Sequence, residues 1–152
     1  MKLKDTVDFH IKSTWHAMSR MYNNVAYKHD LSQTIAYVLI NVEKEGTPAT
    51  KIAPLMGMEP TSLSRLLKNM EKKGLIYREG DKEDKRIVRI FLTPEGIIKR
   101  KMAKQTVLTF NEKLMQKLDQ NDLKQMIKVF DIIKQCVQDE IGENMLANNE
   151  DT

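Results

Sequence analysis

Thr47-Pro48-Ala49-Thr50-Lys51-Ile52-Ala53-Pro54-Leu55-Met56-Gly57-Met58-Glu59-Pro60-Thr61-Ser62-Leu63-Ser64-Arg65-Leu66-Leu67 opens the stretch, ending at Gly96, that decides the fold. It reads as a short helix, a turn at Gly57, a second helix from about Pro60 to Lys73, and a two-stranded hairpin. Thr47 is placed to cap the first helix, with Pro48 in its first turn. The second helix buries Leu63, Leu66, Leu67 and Met70, and Gly74 ends it where a left-handed residue is easiest. Its N-terminal half carries Thr61, Ser62, Ser64, Arg65 and Lys68. Leu75–Arg78 and Ile87–Leu92 alternate as strands, with Val88, Ile90 and Leu92 on one face and Ile87, Arg89 and Phe91 on the other. The tip between them is Gly80-Asp81-Lys82-Glu83-Asp84-Lys85-Arg86. Small polar and basic groups at a helix start suit the major groove of DNA, and an arginine at a loop tip suits phosphate or the minor groove. The fold class expected is mainly α with a small β-wing: a winged helix-turn-helix core.

Outward from that core the chain is helical. Ile11, Trp15, Met18, Tyr22 and Val25 recur at helical steps within Asp5–Tyr27. After a break at His29-Asp30-Leu31, Ser32 caps a helix through about Glu43, with Ile35, Leu39 and Val42 inward. Thr93-Pro94-Glu95 starts a long helix whose face is Ala103, Val107, Phe110, Leu114 and Leu118. Asp119 or Asn121 caps the last helix, which carries Leu123, Ile127, Phe130, Ile133, Val137 and Ile141. Asn148–Thr152 is expected to be a disordered end. The terminal helices hold more apolar residues than the core needs covered, and a second copy of the chain is the commonest cover.

At 152 residues this is a one-domain length. No apolar run approaches the ~20 residues that span a membrane, and no signal peptide is expected at the N-terminus. The one cysteine, Cys136, excludes an internal disulfide framework and fits the reducing cytoplasm. The net charge of +4 is unevenly spread: Thr61–Lys104 holds 13 Lys/Arg against 6 Asp/Glu, and Asp119–Thr152 holds 3 Lys against 8 Asp/Glu. A basic excess on the reading head most often meets phosphate.

Met58–Leu67, Met70–Arg78, Asp81–Arg86 and Leu92-Thr93-Pro94-Glu95-Gly96, in that order, resemble the MarR family of bacterial transcription regulators. In that resemblance Asp84 and Arg86 fill the family's Asp-x-Arg wing signature, ahead of Leu-Thr and a nearby glycine. It covers nearly the whole chain. It implies one MarR-like domain over 1–152, with the DNA-binding part at 32–93 and dimerisation helices at 5–28 and 94–146. It implies a homodimer on a pseudo-palindromic double-stranded DNA operator, with each reading helix in a major groove and each wing in the adjacent minor groove. The usual role it implies is a repressor released by a small molecule or an oxidant; the effector expected here is a small lipophilic or aromatic ligand, and no cofactor is expected. Pro54 departs from a regular first helix, deleting a backbone donor, so that helix is expected to be short or kinked. The family's oxidant-sensing branch uses a cysteine near the N-terminus, which this chain lacks.

The DNA-contacting set expected is Thr61, Ser62, Ser64, Arg65, Lys68, Asp84, Lys85 and Arg86, with Asp84 holding Arg86 by an ion pair. Lys68, Lys72, Arg78, Lys82 and Lys85 read as nonspecific phosphate neighbours or simply solvated, and Arg89 is a candidate brace of the wing. Trp15, His16, Ser19, Tyr22 and Tyr37 are candidates for an effector pocket, although Trp15 and Tyr22 also sit on an apolar stripe that core packing explains. His10 and His16 are six apart, against the three or four that a helical metal pair needs, so no metal site is expected. Cys136 reads as a small core residue. No nucleophile motif or Gly-rich phosphate loop is present, and no enzyme is expected. Two alternatives stand: a winged-helix protein-interaction module without a DNA role, and a redox-responsive regulator pairing Cys136 between subunits.

Overall fold

The computed structural model describes residues 2–150, with side chains through residue 142. The elements are α1 (Val7–Tyr27), α2 (Gln33–Asn41), β1 (Thr47–Pro48), α3 (Ala49–Met56), α4 (Pro60–Lys72), β2 (Ile76–Gly80), β3 (Val88–Leu92), α5 (Pro94–Met115) and α6 (Gln120–Glu150). The chain divides into two compact units, one up to Leu108 and one from Thr109. No helix among the described residues is long and apolar enough to cross a membrane.

In the first unit, local chemistry sets the helix ends. The Ser32 hydroxyl accepts from the Ile35 N–H at 3.2 Å to start α2, and the Thr93 hydroxyl accepts from the Gly96 N–H at 3.0 Å to start α5. Three helices end with the same closure, a left-handed residue followed by an N–H that reaches back to an orphan carbonyl. At α4 the residue is Gly74 (φ +68°), with Leu75 N–H donating to the Met70 carbonyl at 3.0 Å. At α3 it is Gly57, with Met58 N–H on the Ala53 carbonyl at 3.1 Å. At α1 it is Asp30 (φ +57°), with Leu31 N–H on the Ala26 carbonyl at 3.1 Å. Pro54 lies inside α3, which is only eight residues long, as its missing donor requires.

Leu39, Ile52, Leu67, Met70 and Ile90 are fully buried and join α2, α3, α4 and the sheet in one core. The stripe expected on α4 is found there, with Leu63, Leu67 and Met70 buried and Leu66 packed at the margin. Gly96 is buried because α5 starts against the turn after α4: a Cβ at Gly96 would lie 2.0 Å from the Leu75 carbonyl oxygen.

The sheet has three strands in the order β1-β3-β2, all antiparallel, rather than the two expected. Thr47 does not cap α3. It pairs with Ile90 in β1, and its buried hydroxyl accepts from the Glu43 N–H at 2.9 Å. Pro48 takes the cap position without a side-chain hydrogen bond. Tyr77 lies opposite Phe91 in the β2–β3 ladder, and their rings stack 5.3 Å apart.

In the second unit, Asp119 is the cap of α6. Its carboxylate accepts from the Asp122 N–H at 2.7 Å, and the Asp122 carboxylate accepts from the Asp119 N–H at 3.0 Å. The apolar face of α6 is solvent-exposed at Ile127, Phe130, Val137 and Ile141. Cys136 is also exposed, which corrects its reading as a core residue: the apolar stripe beside it faces outward. Where a disordered end was expected from Asn148, helix runs through Glu150, and residues 151–152 lie outside the described residues.

Candidate nucleic-acid interface

Burial of Leu63, Leu67 and Met70 fixes which side of α4 faces water. Thr61, Ser62, Ser64, Arg65 and Lys68 are all exposed. Thr61, Arg65, Lys68 and Lys72 follow one another at steps of four, three and four, so they form one ridge on the open face. Glu59, before the helix, makes no side-chain cap, and Pro60 occupies the first position. The Thr61 and Ser62 N–H groups therefore lack intrahelical acceptors and sit at the positive end of the helix dipole, an arrangement that suits phosphate.

The wing tip is an ordered turn built on two aspartates. Asp81 Oδ1 accepts from the Glu83 N–H at 2.8 Å and the Asp84 N–H at 3.1 Å. Asp84 Oδ1 accepts from the backbone N–H of Arg86 at 3.0 Å and from its Nε at 3.2 Å. The Arg86 side chain is 92% exposed, so this ion pair orients the guanidinium and adds little stability. Lys85 is exposed beside it. Of the remaining cations, Arg78 lies 2.9 Å from Glu71, at ionic distance but off hydrogen-bond alignment. It ties β2 to α4.

Arg89 braces the wing. Its Nε donates to Asp81 Oδ2 and its Nη1 to the Gly46 carbonyl at 2.9 Å. The Arg89 guanidinium, followed by the two backbone N–H donors, holds the Asp81 carboxyl down at about 2. The sequence places Asp81 in the tip but gives neither it nor Gly46 a part in bracing Arg89. An acid two or three residues ahead of turn N–H groups was the available signal for Asp81.

A separate cavity of about 140 Å³ lies within the first unit, among α1, α2 and the first half of α5. Trp15, Tyr22 and Tyr37 line it, whereas His16 and Ser19 do not. Ala36, Ile40 and Met102 complete its apolar walls, with the Thr106 hydroxyl engaged by the Met102 carbonyl at 3.0 Å.

This architecture is shared. A sequence model described as the MarR family matches residues 38–88. The HTH-type transcriptional regulator SarZ of Staphylococcus aureus (strain USA300) is 30% identical over 106 residues, covering 68% of this chain and 72% of SarZ. The chain belongs to the MarR family. It is a DNA-binding transcription regulator of that type and not an enzyme. The HTH-type transcriptional regulator TtmR of Methylorubrum extorquens (strain PA1) is 33% identical over 89 residues, 58% of this chain; the match spans about half of TtmR, 46%. Among solved structures, a Staphylococcus aureus MepR–DNA complex superposes with a TM-score of 0.81 at 21% identity, covering 90% of this chain and 99% of MepR. CouR from Rhodococcus jostii RHA1, bound to p-coumaroyl-CoA, superposes with a TM-score of 0.77 at 24% identity, covering 88% of this chain and 94% of CouR. These two establish a common fold.

Proposed function

We propose that this MarR-family regulator is a homodimeric, sequence-specific repressor, released from a pseudo-palindromic operator by a small lipophilic or aromatic ligand. The observation that carries the reading is the joint presentation, on one braced head, of the open ridge of α4 and of Arg86 held by Asp84. Thr61, Ser62, Ser64, Arg65 and Lys68 take phosphates and base edges in the major groove. Arg86, with Lys85 beside it, enters the adjacent minor groove, where negative potential is high.

Dimerisation through 5–28 and 94–146 is supported by the uncovered apolar residues on those helices, among them Phe9, Ile11, Ile98, Phe130 and Ile141. Ligand control is supported by the apolar cavity under α2, and MepR with DNA and CouR with p-coumaroyl-CoA are relatives in fold solved in the two liganded conditions. A ligand wedged against α1 would change the separation of the two reading heads, which must match half-sites about one helical turn apart. A ligand that prefers the mismatched form draws the population off DNA.

The test is a titration of the protein onto duplex from upstream of its own gene, against a scrambled duplex, at two salt concentrations. Tight, selective and salt-sensitive binding is the expected result. Equal weak binding to both duplexes would count against the reading. The exposure of Cys136 favours one second reading, a thiol-responsive regulator bridged between subunits. Non-reducing electrophoresis after mild oxidant tests it.

A further inference from the structure

A second groove, of about 490 Å³, runs between the loop after α2, the Tyr77–Phe91 face of the sheet and the first half of α5. Its floor is apolar: Tyr77, Phe91, Leu92 and Ile97. Tyr77 is 42% exposed despite stacking on Phe91, and Ile97 is 57% exposed. Its walls are cationic, with Lys44 on one side and Arg100, Lys101 and Lys104 on the other, against the single acid Glu43. Arg100 is committed to the Val42 carbonyl at 3.0 Å. No ion pair or hydrogen bond among the described residues engages the side chain of Lys44, Lys101 or Lys104. None of these residues belongs to the ridge of α4, to the wing tip or to the cavity of Trp15.

An exposed aromatic and aliphatic strip ringed by unpaired charges of one sign has the anatomy of an interface, an apolar centre inside a polar rim. Lys101 and Lys104 are one helical turn apart on one wall, and Lys44 is on the other. Cations placed on two walls over an apolar floor match a chain that brings several acids and one large side chain, rather than a point anion. We propose that this groove docks an acidic peptide segment of a partner protein. Its Asp and Glu side chains meet Lys44, Lys101 and Lys104, while an aromatic or large aliphatic side chain covers Tyr77 and Ile97. Charge steering sets the encounter and the apolar anchor holds it.

Fluorescence anisotropy on the full chain tests this with two labelled peptides, an Asp/Glu-rich peptide with a central Trp and its Trp→Ser counterpart. The Trp peptide is expected to bind saturably at low salt and about fivefold or more tighter than the Ser peptide. Lys101→Glu with Lys104→Glu should weaken it about tenfold or more. Ile97→Ser should reproduce the loss seen with the Ser peptide, and the peptide pair reads the same term on the unaltered protein. Excess duplex DNA should not displace the peptide. Absence of saturable binding, equal binding of the two peptides, indifference to the lysine reversals, or displacement by duplex would each overturn the proposal.

Discussion

Asp81 and Arg89 are paired at the base of the wing, and the same guanidinium reaches the Gly46 carbonyl in the loop ahead of β1. One side chain thus fixes the tip turn to the body of the head. Arg89→Ala should leave the core intact but loosen the tip, weakening operator binding several-fold by anisotropy. The pair also sets an acid limit. The Asp81 carboxyl sits at about 2 instead of the ordinary 3.8, so its contribution is fully present above pH ~3.8 and is lost as the pH falls toward 2. Across the neutral range the Asp81–Arg89 pair should not respond to pH. An acid titration followed by circular dichroism should show a smaller stability loss in that window for Arg89→Ala than for the unaltered chain.

Among the described residues the Arg86 side chain makes only an exposed ion pair. Arg86→Ala is therefore expected to leave thermal unfolding unchanged and to cost about 1–3 kcal/mol in operator affinity. An unchanged affinity would remove the minor-groove role.

Gly96 and Gly142 offer a contrast in one substitution. At Gly96 a Cβ meets the Leu75 carbonyl oxygen at 2.0 Å, and that oxygen also accepts the Thr93 N–H. Gly96→Ala should destabilise the fold by about 1–3 kcal/mol or more, because backbone must move. At Gly142, inside α6, an added Cβ meets nothing within 4 Å among the described residues outside the helix's own backbone. Gly142→Ala should be neutral or stabilise by up to about 1 kcal/mol. Urea unfolding measures both.

Trp15 is the chain's one tryptophan and lines the apolar cavity, so its emission reports occupancy. A lipophilic aromatic ligand should quench or shift that emission, with the same half-saturation as its release of the protein from DNA. Ala36→Phe, which fills the cavity from α2, should abolish both responses and leave DNA binding in place. Release of DNA without a change in Trp15 emission would place the ligand elsewhere.

Much of the head was legible because its signals are local. Ser32 and Thr93 as caps, Gly57 and Gly74 as stops, the stripe of α4 and the Asp84–Arg86 pair all depend on residues within a few positions of one another. What the sequence hid is what the tertiary fold imposes. Thr47-Pro48 has the chemistry of a helix start, yet Thr47 is a strand residue because Ile90, far along the chain, offers it a ladder. The Arg89–Gly46 bond spans 43 residues and leaves no periodic trace. The break expected at His29-Asp30-Leu31 is found there, but Asp30 takes the left-handed position that glycine fills at Gly57 and Gly74. The cavity draws on three helices, so α1 periodicity named Trp15 and Tyr22 but had no means of finding Met102 or of setting His16 aside. An apolar stripe shows that a face is covered by something without saying by what, which is why Cys136 was expected inside and lies outside.

The two-residue strand β1 joins the segment that leads into α3 directly to β3, and Arg89 pins the same junction from the wing side. On the proposed operator the head would therefore act like a caliper with welded jaws, the offset between α4 and the wing turn being set by these cross-links. A change of target spacing is then expected to exceed what flexing within one head absorbs. It has to be met by how the heads are carried, or by DNA that bends to fit the gauge.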